Sequence, residues 1–339
     1  MARPYLVTGA SGFVGRHLLQ ARAARTAAVA LVRDRLAWAE LDWSADLEHV
    51  ELVQGSVTDT VSWADQLPPL GGIFHLAALV RHSRRAPEDL YATNVEGSLS
   101  MVRLAASQKC RLVMLSTSGT VGCFDSPAAA ADENAAFCEE TVANWPYYHS
   151  KIVAEKRVRE LADSLRVELV FIRPPMLLGP EDHRFRSTSN VLRMLRGRLP
   201  FLIHGGIHFV DVRDAVQAIL RAMDLPHPRP VYHLDGTCSS IKEFFGMIEE
   251  VSGVRAPRWV LPVGLARLLA AVDEWVGMRV RGEPLQFFPD PVVVEMASHY
   301  WGTKSLYAES ELGYRCRNPR TTLRDTVDWL RTHHESFSS

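Results

Sequence analysis

Short apolar runs alternate with segments whose apolar residues recur at every third or fourth position, and this rhythm persists through the first half of the chain. Tyr5-Leu6-Val7, Ala27 to Val32, His49 to Val53, Gly72 to Leu76, Arg111 to Leu115 and Val167 to Ile172 predict buried strands. After the first of them Phe13, Val14, Leu18 and Leu19 recur at helical spacing, and further helices are predicted up to Ser107 and from Tyr147 through Val158. Alternation of this kind predicts an α/β fold, a Rossmann-type doubly wound parallel sheet with helices on both faces.

The second half reads differently. Asn190 to Leu199 predicts a basic amphipathic helix, Phe201 to His208 a short strand pair around Gly205-Gly206, Phe209 to Asp214 the opening of a helix ending near Met223, and Val231 to Leu234 another strand. Ser240-Ile241-Lys242-Glu243 is a capping box, with Phe244, Met247, Ile248 and Val251 following at helical spacing. Leu265, Leu268, Leu269, Val272, Trp275 and Val276 form a broad apolar face, expected to be a core helix or a lid over an apolar pocket. Arg267, Asp273 and Glu274 interrupt it, so no transmembrane helix is expected, and peripheral membrane contact is left open. The segment Ala308 to Tyr314 and an amphipathic helix through Leu323, Val327 and Leu330 close the chain. The expected organisation is a cofactor-binding Rossmann domain over residues 1–175, to which 209–236 return, and a smaller C-terminal substrate-binding lobe made mainly of 176–208 and 237–339.

Composition removes several function classes. A chain of 339 residues that is 47% hydrophobic can bury a large core, and a formal net charge of -1 supplies no global field for nucleic acid, so a small molecule is the expected ligand. The first strand starts too early for a signal peptide, which predicts a cytoplasmic protein. Five scattered cysteines without a C-x-x-C pair argue against a disulfide framework or a zinc site. His204 and His208 straddle Gly205-Gly206 and His333-His334 lie at the terminus, so no metal is expected.

Candidate chemistry gathers at the strand ends. Thr8-Gly9-Ala10-Ser11-Gly12-Phe13-Val14-Gly15 is a strand-to-helix turn whose glycines let the backbone approach a pyrophosphate, with helix N–H groups directed at it. At the end of the second strand Arg33-Asp34-Arg35 stands where an acid would bond the ribose of NAD and an arginine would pair with the phosphate of NADP; Arg33 takes the acid's place, with Arg35 nearby. Ser56 and Val57, then Leu76, Ala77 and Ala78, form loops expected to carry adenine and ribose. A polar linker with Arg81, His82, Arg84 and Arg85 precedes Asn94-Val95-Glu96-Gly97. The fifth strand runs into the hydroxyl cluster Ser116-Thr117-Ser118-Gly119-Thr120, and residues 122–145 are expected to loop over the site. Tyr147 and Lys151 are four apart and share a helix face, whereas Tyr148 has isoleucine at the matching position. The lysine ammonium is expected to pull the Tyr147 phenol down from about 10 toward neutrality. Arg173-Pro174-Pro175-Met176 ends the sixth strand in a stiff apolar wall.

Together these motifs resemble the extended short-chain dehydrogenase/reductase superfamily, along nearly the whole chain. The run Tyr147-Tyr148-His149-Ser150-Lys151-Ile152-Val153-Ala154-Glu155-Lys156 is most similar to the dihydroflavonol reductase and 3β-hydroxysteroid dehydrogenase branch. The resemblance implies that Tyr147 is the acid-base residue and that Thr117, five residues before Gly122, is its hydroxyl partner, with Ser118 as the alternative. It also implies that Asn94 belongs to the cofactor site, that Lys151 holds the nicotinamide ribose, and that Pro174 to Met176 flank the nicotinamide. Ser56 departs from the family's aspartate near adenine, and Gly122 lacks the preceding tyrosine of sugar-modifying relatives. The expected activity is ketone/secondary-alcohol interconversion on a hydrophobic small molecule with NADP(H) preferred and NAD(H) admissible, in a monomer or homodimer. The alternatives are a nucleotide-sugar epimerase or dehydratase with bound NAD(P), and a non-catalytic NADP-sensing protein.

Overall fold

The computed structural model describes residues 3–23, 27–47, 50–282 and 288–333; His49 and His334 of the sequence reading lie outside them. Seven strands form the central sheet: β1 (Tyr5–Thr8), β2 (Ala28–Val32), β3 (Glu51–Gln54), β4 (Gly72–His75), β5 (Arg111–Leu115), β6 (Leu169–Arg173) and β7 (Val231–His233). Their order is β7-β6-β5-β4-β1-β2-β3 and every pairing is parallel. The chain therefore reverses direction across the sheet between β1 and β4, and the carboxyl ends of such a pair are where an open α/β sheet forms its ligand crevice.

Parallel strands need crossovers, and the crossovers cover both faces. Helices α1 (Phe13–Ala23) and α4 (Val212–Asp224) pack on one face, burying Leu18, Leu19, Val216 and Ile219 against Val7, Ala30 and Phe74. Helices α2 (Gly97–Gln108) and α3 (Pro146–Leu165) pack on the other, where Leu99, Val102, Ala154 and Val158 meet Leu6, Ile73, Leu112 and Phe171. β2 and β4 are buried along their whole length, as expected for strands covered on both sides.

After β6 the chain leaves these layers, returns through α4 and β7, and leaves again. Helices α5 (Ile241–Ser252) and α7 (Pro319–His333) build a further core around Phe209, Phe244, Ile248, Leu323 and Leu330. The capping box predicted for α5 is present, with Ser240 Oγ accepting from the Glu243 N–H at 3.1 Å. A three-stranded sheet joins the two regions: Met176–Leu178 pairs in parallel with Gly206–Asp211, which pairs antiparallel with Thr237–Ser240. Helix α6 (Val263–Val280) lies on the outside, and no helix of the described residues is long and apolar enough to cross a membrane.

Two buried imidazoles tie stability to pH. His75 is fully buried and held down to about 3, chiefly by burial and then by the charge of Lys151; His208 is held to about 4, by burial and then His233. An unfolded histidine titrates near 6.5, so below that pH the unfolded chain takes up protons that these two native sites refuse. Stability is expected to fall from pH 6.5 toward 5 by about 1.4 kcal/mol per pH unit for each site. Urea unfolding across that range would show a His208→Asn variant with a slope shallower by one proton; identical slopes would remove His208 from the account.

Candidate active site

The glycine-rich turn is built by close approach. Gly9 has φ +69°, and a side chain there would meet the Ala77 N at 2.7 Å, so the turn lies directly against the loop after β4. A Cβ at Gly15 would stand 2.3 Å from the Gly9 carbonyl oxygen, which leaves the first turn of α1 room only for glycine. Beneath the turn, Thr8 Oγ1 contacts His75 Nδ1 at 2.8 Å and accepts from the Ala77 N–H at 3.2 Å, while His75 Nε2 contacts Ser98 Oγ at 3.0 Å. The neutral His75 thus locks the ends of β1 and β4 together at the crevice. Phe13 and Val14 begin α1, packed against the core beside the turn.

Of the charged triplet after β2, one member is left for a ligand. Asp34 caps the short helix Arg35–Ala39, accepting from the N–H groups of Leu36 at 2.8 Å and Ala37 at 3.3 Å. Arg35 donates to the Leu52 carbonyl at 2.7 Å, which ties it to β3 instead of the crevice. The Arg33 guanidinium makes no hydrogen bond or ion pair among the described residues. Ser56 Oγ contacts Thr58 Oγ1 at 2.8 Å within its own turn, and Val57 is buried beside Gly97. Asn94 is spent on positioning: its amide oxygen accepts from the Leu79 N–H at 2.8 Å, and its Nδ2 donates to the Leu79 carbonyl and to Ser150 Oγ, both at 3.0 Å. It therefore shapes the loop after Leu76, Ala77 and Ala78 from below.

Sequence reasoning missed the opposite wall. The loop of residues 179–188 is pinned to α1, with Glu181 Oε2 2.9 Å from Arg16 Nε, and stiffened by Asp182 Oδ2, which accepts from the N–H groups of Ser187 at 2.9 Å and Thr188 at 3.0 Å. From it Arg184 donates to Ser11 Oγ at 3.3 Å and Arg186 to the Val80 carbonyl at 2.7 Å. Burial, then the nearness of Arg33 and Arg186, lowers the pKa of Arg184. Guanidinium groups crowd the glycine-rich turn, an arrangement that favours a bound anion. Only the arginine alternation in His183-Arg184-Phe185-Arg186 could have signalled this.

On the substrate side, Pro146 starts α3 and the next residues reach the crevice. The fully buried Lys151 donates from Nζ to the Leu115 carbonyl at 2.8 Å and is pushed down to about 8 by burial, against the attraction of Glu155. Tyr147 departs from expectation: burial pushes its phenol up to about 12, and no pull from Lys151 offsets this, because the ammonium is turned to the Leu115 carbonyl. The phenol is therefore protonated at neutral pH. Thr117 Oγ1 accepts from the Gly119 N–H at 3.2 Å, an arrangement that keeps its own proton free to donate. The Ser118 hydroxyl has no protein partner among the described residues, and its N–H donates to the Pro174 carbonyl at 2.8 Å. Met176 follows in the three-stranded sheet, paired with Phe209.

His82, read from the sequence as part of a polar linker, is instead an aromatic neighbour of the site. Its ring meets Tyr147 edge-on at 5.3 Å and stacks on Tyr148 at 5.8 Å, with Trp301 on the far side of Tyr148 at 5.0 Å. Beneath Lys151, Glu155 and Arg173 form a buried ion pair, with Arg173 Nε 3.1 Å from both carboxylate oxygens and Nη2 2.5 Å from Oε2. Ser116 Oγ also donates to Glu155 at 2.5 Å, which joins the hydroxyl cluster to the ends of β5 and β6.

Comparison with known proteins identifies relatives of the chain. The family model described as NAD dependent epimerase/dehydratase family matches residues 5–233. The sterol demethylase protein B of Methylococcus capsulatus is 28% identical over 334 residues, covering 96% of this chain and 98% of that protein. The putative dihydroflavonol 4-reductase of Synechocystis is 28% identical over 348 residues, covering 98% and 96%. The solved structure of gox2253 superposes with a TM-score of 0.80 at 27% identity, covering 98% of each chain.

Proposed function

Because this chain belongs to the NAD dependent epimerase/dehydratase family, we propose that it is an NADP(H)-dependent reductase acting on a ketone of a hydrophobic small molecule of steroid, flavonoid, aromatic-ketone or β-keto acyl type. The observation that carries this reading is the Tyr147 phenol set on the same helix face as Lys151 at the start of α3, since a carbonyl oxygen receiving hydride at its carbon needs a proton donor beside it. The resemblance to a putative dihydroflavonol 4-reductase supports the same reading.

The residues present fit a dinucleotide. The cradle at Gly9 and Gly15 admits no side chain, the turn opens a helix, and Arg33 and Arg184 lie near enough to repel. Gly9, Ser11, Gly12 and Gly15 would hold the pyrophosphate, Arg33 with Arg184 the adenosine 2′-phosphate, Ser56, Val57 and Leu76 to Ala78 the adenosine, and Lys151 with Pro174 to Met176 the nicotinamide end. When bound, the cofactor would supply hydride. Thr117 orients the substrate oxygen by donating its hydroxyl proton, and Tyr147 delivers a proton to the same oxygen. Lys151 would stabilise the phenolate that remains by turning its ammonium from the Leu115 carbonyl toward the phenol. His82, backed by Tyr148, would line the wall beside Tyr147 against the substrate body.

The test is a screen of purified protein for NADPH consumption across steroid, flavonoid, aromatic-ketone and β-keto acyl compounds. Net consumption with at least one class is expected. A cofactor that copurifies and is never consumed would favour the nucleotide-sugar epimerase or dehydratase reading that the family name also covers. NADPH should bind more tightly than NADH, with Arg33→Ser and Arg184→Ala each reducing the preference by about tenfold or more, the scale of a charge-assisted hydrogen bond. Equal affinities in the parent protein would reject the NADP(H) assignment.

A further inference from the structure

Helix α6 is packed opposite to the usual sense. Its buried positions are Ala266, Ala270, Asp273 and Gly277, a narrow stripe of mostly small residues that meets Val294, Ile203, Leu261 and Phe288. Its large apolar residues face solvent: Leu265, Leu268 (60% exposed), Val272, Trp275 (58%) and Val280 (71%). Leu265, Leu268, Val272 and Trp275 fall at alternating spacings of three and four, hence on one face, and Trp259 adds a further exposed ring just before the helix. Large side chains turned to water beside small ones turned inward mark a face selected for contact with something else. The apolar periodicity predicts a core or lid helix with peripheral membrane contact left open; small residues let α6 seat closely by its other face, which leaves the large ones outside.

We propose that the outward face of α6 docks this protein on an anionic lipid surface. Charge chooses the occupant. Arg255, Arg258, Arg279 and Arg281 are exposed, Arg267 is exposed but paired with Glu295 at 3.1 Å, and between residues 253 and 282 the acids are Asp273, which is buried, and Glu274, which Arg85 engages at 3.5 Å. Arg279 lies over the Trp275 ring at 4.6 Å, an apolar ring topped by a cation. An apolar stripe with tryptophans and an arginine rim matches the boundary between acyl chains and anionic headgroups. A second copy of the chain would instead bring the same arginines together with no exposed acid on the helix to neutralise them.

The position gives the docking a use. Behind α6 a cavity of about 210 Å³ is lined by Arg85, Ala270, Asp273, Glu274, Phe288 and Asp290. Arg85 Nη1 contacts Met278 Sδ at 3.4 Å, and Arg85 lies on the loop whose His82 ring meets Tyr147. The docked face therefore lies beside the loop that carries His82, and an apolar substrate leaving the membrane would arrive near the Tyr147 side of the crevice. That last step rests on the reductase reading; the docking does not.

The experiment is flotation of the full chain with phosphatidylcholine vesicles, with and without phosphatidylglycerol. Binding is expected with phosphatidylglycerol and is weakened by salt. Leu268→Ser with Trp275→Ser should reduce it by about 100-fold, and Arg279→Gln with Arg281→Gln by about tenfold or more. Because these positions are exposed, NADPH binding should be unchanged in both variants, which shows that they fold. No flotation, or equal flotation by the serine variant, overturns the proposal. So does a dimer of the parent in sedimentation velocity that the serine substitutions abolish. Flotation by a protein that reduces no ketone would leave the docking standing and reject the reductase reading alone.

Discussion

Replacing Tyr147 by phenylalanine is expected to lower NADPH-dependent turnover by about 10²- to 10⁴-fold while leaving NADPH affinity unchanged. The substitution keeps the ring that packs on His82 and Tyr148 and removes only the hydroxyl. That hydroxyl carries its proton at neutral pH because burial pushes it up to about 12, so it can give the proton to an oxygen anion as hydride arrives. The phenolate left behind needs a counter-charge, and the nearby candidate is Lys151, held to about 8. Turnover of the parent should therefore decline above pH 8, as Lys151 loses its proton, and not below it. Initial rates across pH 6.5 to 9.5, with binding followed by NADPH fluorescence, check both statements. A Tyr147→Phe variant with undiminished turnover would reject the assignment outright.

The Glu155→Ala substitution should destabilise the native state by about 3–5 kcal/mol, because it leaves the Arg173 guanidinium buried and uncompensated. Both side chains are almost wholly shielded from water, and the carboxylate also receives the Ser116 hydroxyl. The double variant Glu155→Met with Arg173→Met removes the stranded charge and should recover most of the loss, although Arg173 also contacts His233 Nε2 at 3.2 Å. Guanidinium unfolding of the three proteins separates the cost of breaking the pair from its net worth. A loss below about 1 kcal/mol in the single variant would mean that water reaches the pair.

The layers and the site were legible to different degrees. Buried parallel strands are short uninterrupted apolar runs, so β1 to β6 could be read to within a residue or two, and β5 was read without error. The glycine-rich turn and the Tyr147/Lys151 pair were legible because local spacing alone sets their geometry. What escaped depends on contacts between distant segments. Nothing near Asp34 in sequence distinguishes a cap from a ribose ligand; the short helix it starts decides that. Asn94 looked like a ligand and is a brace, because its partner Leu79 lies across a loop. Arg184 reaches Ser11 over 173 positions, and His82 meets Tyr147 only when the loop after β4 folds against α3. Pattern likewise found the apolar face of α6 but not its direction, since an apolar stripe specifies a contact without specifying the partner.

The three-stranded sheet between the two regions constrains how the crevice can open. The chain passes between the central sheet and the outer helices at Met176–Leu178, at Gly206–Asp211 and at Thr237–Ser240, and these are the strands of that sheet; two later passages flank Ala308 to Tyr314, which pack on the core of the central sheet. A hinge works where a few loop residues are free to change their dihedral angles, and crossings laced to one another by backbone hydrogen bonds have lost that freedom. The joint is thus a weld. Wide jaw-like opening would require breaking a ladder, so traffic into the crevice has to pass by small local displacements at its rim, where the loops bearing His82 and Arg184 meet water.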